Sequence, residues 1–449
     1  MFSVRPVGTG PSAFPTTGPV RSGTSSPPSS SRQDSSPSGP TPTNQRPSAP
    51  GLERAIGLSL ALIGFVVAAG VMTDNSLLTH IATGRLILDG GGVPSVDPYS
   101  RFGAGQDWTV QSWLVSVAYA ALDELAGPSA IRGFHGLLGA LIGLGLWRLS
   151  RPAVELPTRI TLSLAPLVVG IGLWSPRPLL VGLVALVGLL LVIGEDRPGW
   201  LLLPLLWIWG NAHGSFPLAV GLVALMLAGH WIEHRRLPVG LVRRLGWAGL
   251  GTVLAALGPV GPRLLLFPLR VLGSREAMTG VVEWEPPSFS SPWELAWLAI
   301  AALLVLAARR GLGWHGLLPA LIVIAAAAVA LRNVAPASIV VVVLVAPGLA
   351  GLAPVTRRSE GGAGGESGGR LARAVTVAAG AALLVAVVTV ATRPGLDLAH
   401  YPVDEVEALE DAGLLPGRDV VVAHREAVGN YLTWRFGDRA SVFVDDRFD

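Results

Sequence analysis

The chain of 449 residues has no cysteine, which excludes disulfides, iron–sulfur clusters, cysteine zinc sites and a thiol nucleophile. It has no lysine either: all 33 basic residues are arginine. A Schiff-base lysine and a Walker-type phosphate loop are therefore excluded, because both need the ammonium group. Charge is scarce, at 14% of residues, against about 25% in an ordinary soluble domain. A single water-soluble globule does not fit that scarcity. What fills the chain instead is 51% hydrophobic residues and a mean hydropathy of +0.55. Apolar runs near the ~20-residue spanning length recur, the pattern of an all-α polytopic membrane protein. The sequence pI of about 9.9 suggests nucleic acid at first sight. Net charge is only +3, however. The arginines therefore read as topology signals, and no nucleic-acid partner is expected.

Residues 1–50 hold 12 Ser and 11 Pro and almost no large apolar side chains. Such a segment buries too little surface to offset chain entropy and reads as a disordered cytoplasmic tail. About eleven spans follow within residues 51–392. They run over Ala55–Thr73, Ile131–Trp147, Ile160–Trp174, Leu179–Ile193, Trp200–Gly210, Phe216–Ile232, Leu245–Leu257, Trp293–Ala308, Leu317–Leu331, Ala335–Ala353 and Ala374–Ala391. The segment Gln111–Ala126 is short and carries Asp123 and Glu124. Counting it as a span would put the clusters Arg148/Arg151/Arg159, Arg235/Arg236/Arg243/Arg244 and Arg357/Arg358 outside. The positive-inside rule therefore makes it an interfacial helix in a first outer loop over 74–126.

With that parity, Asp74, His80, Asp97, Arg177, Asn211, His213, Glu283, Glu285, Arg332 and Asn333 all fall on the outer face. Ionisable groups converging at span ends on one side form a default functional hypothesis; the bland alternative is anchoring in the headgroup layer. Asp74 stands where the first span ends, with His80 at i+6 and a short helix expected over Thr79–Leu88. A carboxylate at the bilayer edge is partly desolvated and can act as a general base. The histidines form no H-E-x-x-H motif, so no metal site is expected; as single residues they read more readily as structural. Gly361–Gly369 reads as an inner linker. After Arg393 the chain turns polar. Pro402–Ala412 and Ala427–Phe436 read as helices, Asp419–His424 and Ser441–Val444 as strands. Residues 393–449 are thus expected to be a small outer α/β domain, incomplete at VDDRFD.

The run Asp74–Gly84, then GVPSVDPYS and W-x-x-x-x-W-L, resembles the first outer loop of GT-C glycosyltransferases. It is more similar still to a bacterial group of GT-C-like multi-span proteins with a D-x-D-x-W-x-H-x-x-T-G pattern followed by G-x-x-P-x-x-D-P-Y-S. SPRPLL (Ser175–Leu180), WGNAHGSF (Trp209–Phe216), VVEWEPPSF (Val281–Phe289), LRNVAP (Leu331–Pro336) and the tail from Gly429 extend the resemblance. The chain departs from the pattern at the second acid, which is Ser76 here, and at the tryptophan, which falls on Leu78 or Thr79.

The resemblance implies transfer of a sugar from a polyprenyl-phosphate carrier on the outer face of the cytoplasmic membrane. Asp74 would be the catalytic base. Arg177 and Arg332 would face the carrier phosphate through forked hydrogen bonds, and His80, Asp97, Asn211, His213, Glu283 and Asn333 would line the substrate site. The implied partners are a polyprenyl-phosphate-linked sugar, membrane lipid and an envelope glycan or protein acceptor, with no cofactor. The loss of the second acid favours a rival: a non-catalytic GT-C-like scaffold of envelope polymer assembly. A lipid or solute transporter is the third reading; no inverted repeat or pair of broken helices supports it.

Overall fold

A backbone surrounded by apolar side chains has to satisfy its own hydrogen bonds, and helices do this locally. The computed structural model describes residues 50–273, 281–351, 364–417 and 419–447, excluding the side chains of 364–372. Sixteen α-helices lie among the described residues. α1 is Pro50–Ala68, α2 Ser76–Leu86, α3 Trp113–Ala126 and α4 Pro128–Leu149. α5 is Leu156–Leu173, α6 Leu179–Gly194, α7 Leu202–Ala212 and α8 Pro217–His234. α9 is Val239–Ala255, α10 Arg263–Gly273, α11 Pro292–Arg309 and α12 Trp314–Val329. α13 is Val334–Val345, α14 Gly364–Thr392, α15 Val403–Asp411 and α16 Glu426–Phe436. Each expected span overlaps one of them; the end of the one expected over Ala335–Ala353 lies outside the described residues. The disordered tail expected over 1–50 lies outside the described residues apart from Pro50. Of the expected linker, Gly364–Gly369 is the first part of α14.

Among the described residues, seven helical segments are long and apolar enough to cross a membrane: Pro50–Ala68, Pro128–Ala153, Leu156–Leu173, Pro217–His234, Pro292–Arg309, Leu331–Leu349 and Arg373–Thr392. α6 and α12 are shorter apolar helices. Local signals set several starts. Pro217 opens α8 and Pro292 opens α11, at positions whose N–H has no helical acceptor in any case. Ser291 and Glu294 cap α11 reciprocally.

The bundle is built around α13, whose span is 61% buried, against 11% for the span in α14. Ser338, inside α13, satisfies itself on the Ala335 carbonyl at 2.7 Å. α1 and α4 meet backbone to backbone: a Cβ placed on Gly64 would stand 2.1 Å from the Gly139 carbonyl oxygen. Small residues at such crossings let dispersion and weak polar contacts hold helices that share an apolar environment.

Loops sort to two ends. At one end Arg159 pairs with Glu53 at 2.6 Å, Arg148 with Glu195 and Arg244 with Asp196. At the other end the connections after α1, α5, α10, α12 and α14 meet and carry a cap made of α2, α3, α15, α16 and the segments around them. Met72 N–H donates to the Gly395 carbonyl at 3.0 Å, and Asp397 N–H to the Met72 carbonyl at 3.1 Å. Leu331 N–H donates to the Glu285 carbonyl at 2.8 Å.

The expected C-terminal α/β domain is not present. α15 and α16 match the two expected helices, but the described residues contain no strand, only isolated bridges. A strand needs a neighbour to accept its backbone hydrogen bonds, and Asp419–His424 finds none. Val442 instead makes one parallel bridge to Ser100 in the first loop. The segment also lacks a core of its own. Val406, Leu415, Tyr431, Leu432, Phe436 and Val442 share one cluster with Leu78, Tyr99, Trp108 and Val110 of the first loop.

Candidate functional site

Asp74 follows the end of α1 and precedes α2. Its Oδ1 accepts from the Ser76 N–H at 3.1 Å and the Ser76 hydroxyl at 2.8 Å, so the carboxylate caps the first turn of α2. Its Oδ2 accepts from Arg177 Nε. Arg177 sits in the SPRP turn between α5 and α6, and its Nη1 donates to Glu283 in the single helical turn Val282–Trp284. Three loops distant in the chain are thus joined through one guanidinium. The Asp74 side chain is 8% exposed, those of Arg177 and Glu283 33% and 42%. Burial alone would raise the Asp74 carboxyl. The Arg177 charge and the donors of Arg177 and Ser76 outweigh it and hold Asp74 below the ordinary 3.8.

His80, one turn and a half into α2, points its Nδ1 to the Ser116 hydroxyl of α3 at 2.9 Å. Burial pushes its ring down to about 4 despite the nearby Asp74 charge, and the Arg177 charge adds to the effect, so it is neutral at pH 7. Tyr119 in α3 hydrogen-bonds His135 Nε2 at 2.6 Å, and α2, α3 and α4 are laced together through these polar contacts. His213, just past α7, accepts on Nδ1 from the Ser215 N–H at 3.2 Å, with the Ser215 hydroxyl at 2.7 Å. Burial first, then the charges of Arg332 and Arg177, push it down to about 3. Arg332 lies over the Trp284 ring at 4.4 Å. It makes no hydrogen bond or ion pair among the described residues.

The structure therefore brings Asp74, Arg177 and Glu283 into contact, with Arg332 over the neighbouring Trp284 and His80 and His213 within electrostatic reach of Arg177. Three further expected site residues make contacts of their own. Asn211 is fully buried: its Oδ1 accepts from Trp113 Nε1 at 2.7 Å, and its Nδ2 donates to the Trp207 and Ala255 carbonyls. It ties the end of α7 to α9 and to the first loop. Asn333 Nδ2 donates to the Ala326 carbonyl at 2.9 Å and closes the α12–α13 connection. Asp97 lies in a second cluster. It accepts from the Tyr99 and Ser100 N–H groups and from Arg447 Nη1 at 2.8 Å. Burial raises its carboxyl, and the Arg447 and Ser100 donors bring it net below the ordinary value.

Sequence reasoning missed Asp446. The segment after α16 runs back over the first loop. A Cβ on Gly429 would stand 1.9 Å from the Val444 carbonyl oxygen, so only glycine allows that approach. Val442 N–H donates to the Tyr99 carbonyl at 3.0 Å, and Arg101 N–H to the Val442 carbonyl at 2.8 Å. Arg447 then lies over Tyr99 and Trp108, 5.0 and 4.7 Å from their ring centroids, between Asp97 and Asp445. Asp446 is held between these anchors. Its N–H donates to Asn430 Oδ1 at 3.3 Å, and its Oδ1 accepts from the Thr79 hydroxyl at 3.4 Å. Enclosure by protein pushes its carboxyl up to about 7; the charges of Asp445, Glu426 and Asp74 add to the rise, while Arg177 opposes it. Asn430 is fully buried, and its Nδ2 has no partner among the described residues. A buried donor left unmade costs roughly 1–3 kcal/mol, so this amide stands out beside Asp446. The clue was the acid pair in VDDRFD, placed one strand-length after α16.

No group of three or more His, Asp or Glu side chains is arranged to hold a metal ion among the described residues. His230 and His234 do stand four apart on α8, with ring centroids 4.4 Å apart, but at the opposite end of the bundle, where His315 and Trp314 contact Glu233. Set against protein-family models, curated proteins and solved structures, the chain matches none of them.

Proposed function

We propose that the chain is a membrane glycosyltransferase that moves a sugar from a polyprenyl-phosphate carrier to an envelope glycan or protein acceptor. In this reading α6, α7, α9 and α12 complete eleven spans with the seven longer helices, and the protein lies in the cytoplasmic membrane of a bacterium. The end with the Arg148, Arg159 and Arg244 pairs faces the cytoplasm, as does the N-terminus. The cap and the C-terminal segment are outside, with α3 at the interface.

The observation that carries the reading is the joining of Asp74, Arg177 and Glu283 beside Arg332, at the end where the GT-C-like motifs meet. Arg332 makes no ion pair among the described residues, with Glu283 acting on it only at electrostatic range, and in this reading it is a cation for the carrier phosphate. A phosphate also competes with Asp74 for Arg177, so donor binding loosens the ion pair and exposes the carboxylate to an acceptor hydroxyl. Held below 3.8, Asp74 is a weak base, and its part is to orient the acceptor and balance the arginine charge. No nucleotide, metal or other cofactor enters this scheme.

A GT-C-like scaffold without catalysis is the second reading. It is favoured by the same ion pair, since Arg177 is already neutralised by two carboxylates. Full-length protein in lipid vesicles containing a polyprenyl-phosphate-linked sugar separates the two. The transferase releases carrier phosphate and labels the acceptor, and Arg332→Gln lowers that rate at least about 10-fold, the worth of one charge-assisted hydrogen bond. Absence of turnover, together with unchanged envelope glycan after gene deletion, leaves the scaffold.

A further inference from the structure

We propose that Asp446, delivered by the segment after α16, takes the proton of the acceptor hydroxyl, so that the C-terminal segment completes the site. This rests on the transferase reading and supplies the base that Asp74 is poorly suited to be.

The placement is specific. Asp446 is tied to α2 through Thr79 and to α16 through Asn430, within reach of the Asp74 and Arg177 charges. Both neighbours on its own segment are anchored, Asp445 by Arg447 and Arg447 in turn by Asp97. Beside it is a buried amide donor without a partner among the described residues, Asn430 Nδ2; Asn75 Nδ2 donates to Glu426 Oε1 at 3.2 Å, on the same helix as Asn430. The charged and titratable groups acting on Asp446 come from each surrounding element: Asp74 before α2, Arg177 before α6, Glu426 on α16 and Asp445 beside it. Tyr401 before α15 feels its charge in turn. Three carboxylates against one guanidinium favour the protonated form, and a base near the working pH transfers protons most effectively.

The step balances without a further reagent. The acceptor oxygen bonds to the anomeric carbon as the bond from that carbon to the carrier phosphate oxygen breaks. The electron pair leaves with the phosphate, whose charge Arg332 and Arg177 receive. The hydroxyl proton passes to a carboxylate oxygen of Asp446 and from there to solvent.

The test uses full-length protein in vesicles, with a polyprenyl-phosphate hexose as donor and two readouts. In the transfer assay the wild-type rate rises with pH to a plateau through a midpoint near 7. Asp446→Asn lowers kcat by at least about 100-fold with little change in KM, and Asp446→Glu recovers part of the rate with a displaced midpoint. In infrared difference spectra the carbonyl band of a protonated carboxyl disappears through the same pH range and is absent in Asp446→Asn. Glu426→Gln removes a negative neighbour and moves that midpoint down. An active wild type with Asp446→Asn unimpaired overturns the role of Asp446 and leaves the transferase reading standing. A wild type without transfer overturns both, and the infrared band then reports separately whether Asp446 holds a proton at neutral pH.

Discussion

The bundle and its cap are held together by different physics. In the bundle, α1 and α4 approach until backbone touches backbone at Gly64 and Gly139, and α13 is enclosed by apolar side chains. In the cap, α2 and α16 are short, and the contacts are ion pairs, a shared aromatic cluster and hydrogen bonds such as Thr79 to Asn430 at 3.0 Å. Helices in an apolar environment gain little by burying more apolar surface, so fit decides their packing. The cap, whose helices are short and less apolar, draws on a shared aromatic core and on paired charges. The cap's contacts between acids and arginines are the setting of the chemistry proposed above.

The contrast is open to direct test. The largest effect is expected from Gly64→Leu or Gly139→Leu. Each drives a side chain into a carbonyl with no room to move, costs about 3 kcal/mol or more and leaves little folded protein by size-exclusion yield. Equal yield would mean the α1–α4 crossing is looser than described. Arg447→Ala should cost roughly 2–3 kcal/mol, because Asp97 and Asp445 lose their shared partner. Hydrogen exchange should quicken in α16 and around Tyr99, while α4 and α6 stay protected. Exchange rising throughout the chain would show that cap and bundle are one cooperative unit.

The third effect concerns pH and is smaller. Asp446 titrates above its unfolded value, so it favours the folded cap fully below about pH 4 and loses that contribution as pH rises through about 7. His80 and His213, lowered to about 4 and about 3, act in the opposite sense: their contribution is present above about 6.5 and is lost as pH falls through those values. The difference between wild type and Asp446→Asn isolates the first contribution. The variant should gain on the order of 2 kcal/mol relative to wild type between pH 5.5 and 8, read as thermal midpoints. A constant difference across that range would remove the assigned titration. The smallest effect is expected from Arg148→Ala at the other end, whose pair with Glu195 is exposed. No measurable change in melting is expected there.

Much of the candidate site was legible because its residues stand at span ends. Asp74, Arg177, Glu283 and Arg332 are charged side chains at the edges of apolar runs, an anomaly visible without coordinates. Asn211 and Asn333 look alike in sequence, and the structure shows each of them tying a helix end; a polar residue at a span end serves capping or chemistry, and the letters do not say which. Asp446 was passed over because its neighbourhood forms only when the segment after α16 folds back on the first loop. The strands expected at Asp419–His424 and Ser441–Val444 failed for a related reason: alternation and β-branching describe a residue's own preference, whereas a strand requires a partner backbone.

By itself, the sequence determined the helical membrane class, the positions of the long helices and the sorting of most arginines to one set of loops. These follow from apolar run length and from hydrogen bonds that close within a few residues. Tertiary structure alone decided that Arg177 bridges Asp74 and Glu283, that the C-terminal segment shares its core with the first loop, and that Asp446 lies beside Asn430 and Thr79. Those contacts join positions from 16 to 367 residues apart. Their geometry depends on how the whole bundle packs, and no local pattern in the chain encodes it.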